Sequence, residues 1–141
     1  MNWIDEIVEG LLDYYQTNNM YDIYKQLNIR IERLDKSNIL LQGNEAVYHR
    51  FNEQETVYCS NDIVNEEFVL AHELGHAILH VDEDVIFYNP TENKGKLELE
   101  ANYFAVKLLY HDYELEDGIE TRQQLSNRLM INEDLVDYVL K

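Results

Sequence analysis

Cysteine occurs once in this chain, as Cys59, proline once, and glycine five times in 141 residues. A single thiol closes no internal disulfide, which excludes the stapled frameworks of small secreted domains and fits a reducing cytoplasm. Cys59 has no CxxC partner and no cationic neighbour, so it reads as a small apolar strand residue. With so few chain breakers, a many-turned all-β sandwich is disfavoured and helices are favoured. Basic residues are scarce too: 11 Lys and Arg face 28 Asp and Glu, a formal net charge of -17. Such a balance opposes the phosphate neutralisation that nucleic-acid binding requires and makes anionic membranes poor partners. No apolar run approaches the ~20 residues that span a bilayer. The opening Met1-Asn2-Trp3-Ile4-Asp5-Glu6 has acids where a signal peptide has bases.

Apolar residues make up 45% of the chain, enough to offset the entropy of ordering it. The length suits one domain spanning 1–141. Apolar positions recur at helical spacing over residues 3 to 16 and again from Met20 to Leu27, stopped by Asn18-Asn19 and by Asn28. Four short β-branched or aromatic segments follow, at Ile29 to Leu34, Ile39 to Leu41, Ala46 to Phe51 and Glu55 to Ser60. They predict a small antiparallel meander. Asn65 is a good N-cap, and Glu66 and Glu67 suit the first turn of a helix running from about 65 to 80. Val85 to Tyr88 is briefly apolar, Asn89 to Lys96 lacks periodicity and reads as a mobile loop, and a helix is expected from Leu97 to about Tyr110. After an acidic link containing Gly118, two short helices are expected at about 121 to 130 and 133 to 140, the second capped by Asn132. Residues 111 to 141 hold eight acids against three Lys or Arg, so this closing pair reads as packing helices rather than a DNA reader.

The chemistry concentrates in His72-Glu73-Leu74-Gly75-His76, an HExxH segment. Two histidines four apart lie one turn above each other on a helix and can point at one metal ion, with the glutamate beside them. A structural zinc site would need four protein ligands, usually with cysteine, whereas a catalytic one takes three and leaves a position for water. With Leu79 and Asp82 where a metzincin has Gly and His, that extension is absent. His80 continues the i, i+4 series but lies about 80° around the helix from His72. It reads as a supporting residue. The gluzincin pattern remains, in which a glutamate on a second helix completes the site and a residue four positions later orients a ligand histidine. Glu98 and Asn102 fit it. Glu98 shares its face with Ala101, Ala105 and Leu108, the stripe expected to pack inward. Glu100, the alternative ligand, falls beside Tyr103, Phe104 and Lys107, where an exposed glutamate is expected.

The run Phe68-Val69-Leu70-Ala71-His72-Glu73-Leu74-Gly75-His76-Ala77-Ile78-Leu79-His80, followed by Glu98-Leu99-Glu100-Ala101-Asn102-Tyr103-Phe104-Ala105, resembles the ImmA/IrrE family of metallo-endopeptidases. The resemblance is best over residues 65 to 110. It implies zinc ligation by His72, His76 and Glu98, with Glu73 as general base. It also implies a biology, relief of repression by cleavage of a helix-turn-helix repressor of a mobile element or stress regulon. Many members end the second helix with Leu-Leu-Met-Pro, where this chain has Leu108-Leu109-Tyr110-His111. The expected fold class is α+β, a small antiparallel β-sheet packed on a helical zincin-like core. The metal is expected to be Zn²⁺, with Mn²⁺ as the alternative, and Tyr58, Tyr103, Tyr110 and His111 are candidates for stabilising an oxyanion. The strand at 55 to 60 is the expected edge for an extended substrate. The rival reading is a non-catalytic metal-binding protein that holds a repressor without cutting it. Against that rival, a pure binder has no need of Glu73.

Overall fold

A computed structural model describes residues 1–80, 90–113 and 121–139, with the backbone alone for 90–94. Helix α1 (Asn2–Tyr15) buries Ile4 and Val8 and ends at Gln16 in the left-handed region, φ 56°. In α2 (Met20–Leu27) the Asn19 side chain accepts from the Asp22 N–H, and Met20, Ile23 and Tyr24 face the core. Asn28, at φ 60°, stops it, since asparagine tolerates the left-handed conformation that ends a helix.

Three strands follow, β1 (Ile29–Leu34), β2 (Ala46–Phe51) and β3 (Gln54–Ser60), in the order β1-β3-β2. β2 pairs antiparallel with β3, from Ala46 opposite Cys59 to Phe51 opposite Gln54. The tight link between them puts Asn52 and Glu53 at φ 50° and 65°, the positive angles a two-residue hairpin turn demands. β1, however, runs parallel to β3, from Ile29 opposite Glu55 to Leu34 opposite Ser60. The sheet is therefore mixed, which corrects the all-antiparallel meander expected from the sequence. Alternation reports which side chains face the core, and Ile29, Ile31 and Val57 face it here, but alternation carries no information on strand direction. Ile39–Leu41 is likewise no strand but a 3-10 turn capped by Asn38. Only Leu41 of the three is buried, and Ile39 is 86% exposed.

α3 (Glu66–Leu79) packs against β2, and α4 (Pro90–Leu109) meets α3 closely. Gly75 makes that approach feasible. A Cβ there would lie 3.1 Å from Phe104 Cδ1 and 3.2 Å from the Ala101 Cα. The start of α4 at Pro90 overturns the expected loop over Asn89 to Lys96, of which only Asn89 lies outside the described residues. Missing apolar periodicity excludes a buried face, not a helix, and proline is favourable at the first helical position, where no N–H is needed. Val85 to Tyr88 and the Gly118 link lie outside the described residues.

The main core joins α1, α2, the sheet, α3 and α4 through Ile4, Tyr24, Val57, Leu70, Leu74, Phe104 and Leu108. A second cluster, Val106, Leu125, Ile131, Leu135 and Val136, fastens the closing segments to the other side of α4. There α5 (Arg122–Leu129) opens on a capping box between Thr121 and Gln124, and Asn132 caps a 3-10 turn that leads into α6 (Val136–Val139). Among the described residues no helix is long and apolar enough to cross a membrane. The architecture is α+β.

Candidate metal centre

α3 is held at its start before it delivers any chemistry. Asn65 accepts from the Phe68 N–H and donates to the Leu129 and Met130 carbonyls, tying the cap to the end of α5. Glu66 takes hydrogen bonds from Arg33 on β1 and Tyr21 on α2. One and a half turns on, His72 and His76 present their rings edge to face, centroids 4.8 Å apart. From α4 the Glu98 carboxylate reaches both, Oε2 lying 3.0 Å from His72 Nε2 and Oε1 3.0 Å from His76 Nε2. One ligand atom from each of the three residues lies within 4.8 Å of the others.

Hydrogen-bond chemistry says what such a cluster fits. His72 Nδ1 is 2.7 Å from Asn102 Oδ1, an acceptor, so Nδ1 carries the proton and Nε2 points a lone pair at Glu98. Two imidazole lone pairs facing a carboxylate repel unless a cation or an added proton sits between them. Two imidazole nitrogens and one carboxylate are also the donors that divalent transition metals take. The electrostatics lean the same way. Burial pulls the His72 pKa down, but the bond to Glu98 and the Glu73 charge outweigh it and leave it raised. His72 and His76 hold the Glu98 carboxyl well below the usual carboxylate range. Glu73, only 6% exposed, goes the other way: burial raises its pKa against the pull of His72 and His76. The Tyr48 backbone N–H also donates to it. A carboxyl pushed upward beside two histidines has the character of a general base.

Of the sequence-predicted residues, His72, Glu73, His76, Glu98 and Asn102 come together. Glu100 goes elsewhere, though not to solvent as expected: it is buried, its Oε1 3.1 Å from His80 Nε2. The expectation failed because the buried arc of α4 is centred on Ala101, Phe104 and Leu108, not on Glu98. At about 100° per residue, positions 98 and 100 fall on its two flanks. The candidate oxyanion groups are not assembled. Tyr103 donates to Asp5, Tyr110 reaches the Leu129 carbonyl, and His111 lies at the far end of α4, its Nδ1 3.3 Å from the Leu108 carbonyl. Tyr58 packs against His49 on the sheet face turned away from the helices, opposite to Val57. The expected substrate edge needs correction as well, because β3 is the central strand and both its sides are paired. Two features escaped the sequence reading, the Tyr48 backbone contact, which has no sequence signal, and the His80–Glu100 pair, whose signal was the continued i, i+4 series.

Residues 25–131 match the IrrE N-terminal-like domain, a peptidase family. The chain belongs to that family. It is 27% identical over 142 residues to "Metallopeptidase ImmA" of Bacillus subtilis (strain 168), covering 94% of this chain and 81% of that protein. It is 28% identical over 134 residues to "Uncharacterized immunity region protein 2" of Bacillus phage phi105, covering 92% of this chain and 82% of that protein. Membership in the ImmA/IrrE family supports a metallopeptidase role and implies a divalent metal, for which the His72, His76 and Glu98 cluster supplies a fitting donor set.

Proposed function

We propose that this chain is a cytoplasmic zinc endopeptidase, one catalytic domain over 1–141, that cleaves a helix-turn-helix repressor and so relieves repression. The observation that carries the reading is the meeting of His72 Nε2, His76 Nε2 and the Glu98 carboxylate, with the buried Glu73 carboxyl on the adjoining turn. His72, His76 and Glu98 hold the ion, and Asn102 orients His72. A divalent ion at this donor set supplies Lewis acidity, polarising a scissile carbonyl and acidifying water. Glu73 does the proton work. It takes a proton from the attacking water as the oxygen bonds to the carbonyl carbon, then gives it to the amine nitrogen as the C–N bond breaks.

Substrate placement follows from the sheet. The Tyr48 N–H that donates to Glu73 points away from β3, so the outer edge of β2, unpaired among the described strands, runs beside the catalytic carboxyl. An extended segment adding to β2 would bring its backbone to the site. A net charge of -17 suits a basic DNA-binding partner, since complementary fields speed encounter. The phage relative named for an immunity region supports a repressor as that partner.

The test uses purified protein and, as candidate substrate, a helix-turn-helix protein found in the neighbouring reading frame. Wild type should cut, whereas Glu73→Gln should keep its zinc and the fold and lose cleavage by at least about 100-fold. Cutting by Glu73→Gln at the wild-type rate would overturn the mechanism. Tight binding by wild type without cleavage would favour the non-catalytic reading.

A further inference from the structure

The second imidazole of the centre has its support in His80, whose pairing with Glu100 the sequence pattern did not reveal. His76 Nδ1 lies 3.0 Å from His80 Nδ1, and His80 Nε2 lies 3.1 Å from Glu100 Oε1. Both His80 and Glu100 are more than nine-tenths buried. The chain of contacts therefore runs from a buried carboxylate, through one histidine, to the face of His76 turned away from Glu98.

From this juxtaposition we propose that Glu100 and His80 form a positioning relay that sets the tautomer and ring orientation of His76 for metal binding. The proposal rests on the zinc reading above. A carboxylate is acceptor-only, so His80 meets Glu100 Oε1 with its Nε2–H. A His76 that offers Nε2 to a metal carries its proton on Nδ1, so across the 3.0 Å to His80 Nδ1 it donates and His80 accepts. With its proton held on that side, His76 turns a bare Nε2 toward Glu98 and the metal position, 3.0 Å from Glu98 Oε1. Asn102 performs the same service for His72 in one step, whereas His76 is served in two. The need for two steps follows from geometry. Asn102 reaches His72 directly from α4, but Glu100, on the opposite flank of α4, spans to His76 only through another side chain. His80, one turn beyond His76, provides it.

Neither residue touches the metal position or the reacting atoms, so both are positioning residues, and the test must separate a hydrogen-bond role from simple packing. Zinc affinity is measured by chelator competition on the full chain for wild type, His80→Phe, Glu100→Leu and Glu100→Gln, with circular dichroism as a check on folding. His80→Phe and Glu100→Leu should lose about 10- to 100-fold in affinity, the usual effect of removing a ligand's hydrogen-bond partner. Glu100→Gln keeps an acceptor oxygen and should retain most of the wild-type affinity, which a role of the charge alone would not allow, whereas Glu100→Leu keeps the bulk without the acceptor and separates the hydrogen bond from packing. Long-range 15N–1H spectra of zinc-free wild type supply a second measurement that needs no variant to fold, and should show a proton on His76 Nδ1, whether or not Nε2 facing Glu98 carries one as well. Wild-type zinc affinity left unchanged by His80→Phe, or a His76 Nδ1 that carries no proton, would overturn the relay while leaving the metal site standing. Failure of wild type itself to bind zinc would overturn both.

Discussion

At the scale of single residues, the centre depends on which nitrogen of each histidine carries a proton. Asn102→Ala removes the acceptor that pins the His72 proton to Nδ1, and it leaves Glu98 and the ring itself in place. Zinc affinity should fall by about 10- to 100-fold with little change in melting temperature, read by chelator competition and a thermal scan on one preparation. Glu98→Ala should do more. It removes a donor outright and leaves two imidazoles without the carboxylate between them, so purified protein should contain far less than one zinc per chain by elemental analysis. The reverse pattern, full zinc in Glu98→Ala and none in Glu100→Ala, would mean that the glutamate roles are exchanged.

At the scale of elements, the site is a consequence of how closely α3 and α4 approach. Gly75→Ala gains helix propensity, about 1 kcal/mol. It also drives a methyl against the Ala101 backbone and Phe104, an overpacking that costs roughly 1–3 kcal/mol because a helix backbone cannot yield as a side-chain tip can. The net expectation is modest destabilisation, about 1 kcal/mol, together with weaker zinc binding as Glu98 is pushed from the histidines. A variant with higher stability and wild-type zinc affinity would show that the helices have room to spare. The start of α3 is clasped by Arg33 and Tyr21 on Glu66. Hydrogen bonding from Arg33 holds the Glu66 carboxyl below its ordinary 4.5. The folded value is thus depressed, so the clasp stabilises above about pH 4.5 and fades as pH falls through the lowered value. Arg33 is half exposed, and its contribution stays under about 1 kcal/mol. Arg33→Gln should therefore melt slightly below wild type at neutral pH, and the gap should close in acid.

At the scale of the whole molecule, a charge of -17 on 141 residues sets two salt effects of opposite sign. Raising sodium chloride from about 0.02 to 0.3 M shortens the screening length from roughly 20 to 6 Å, relieving self-repulsion in the folded chain. The melting temperature should rise. The same screening weakens the long-range pull on a basic protein substrate, so the association rate measured by stopped flow should fall over the same range. A substrate whose association is indifferent to salt would argue against a basic partner.

Read by itself, the amino-acid sequence determined the elements that rest on local chemistry: α1, α2 with its Asn28 stop, α3 with its Asn65 cap, and the HExxH pair one turn apart. It also separated Glu98 and Asn102, four positions apart on one helical flank, as partners for that pair. These features were legible because helix periodicity and capping act over a few residues. Strand direction was not legible, since the alternation of Ile29, Ile31 and Val57 suits a parallel or an antiparallel neighbour equally. Nor was the helical start of α4, because Pro90 to Lys96 has no apolar face to mark it. The role of Glu100 depended on where the centre of the buried arc of α4 falls, and that is set by what α3 presents, chiefly the gap over Gly75. Tertiary packing alone decided it, because a helix has one angular order of residues but no angular origin until a neighbour supplies one.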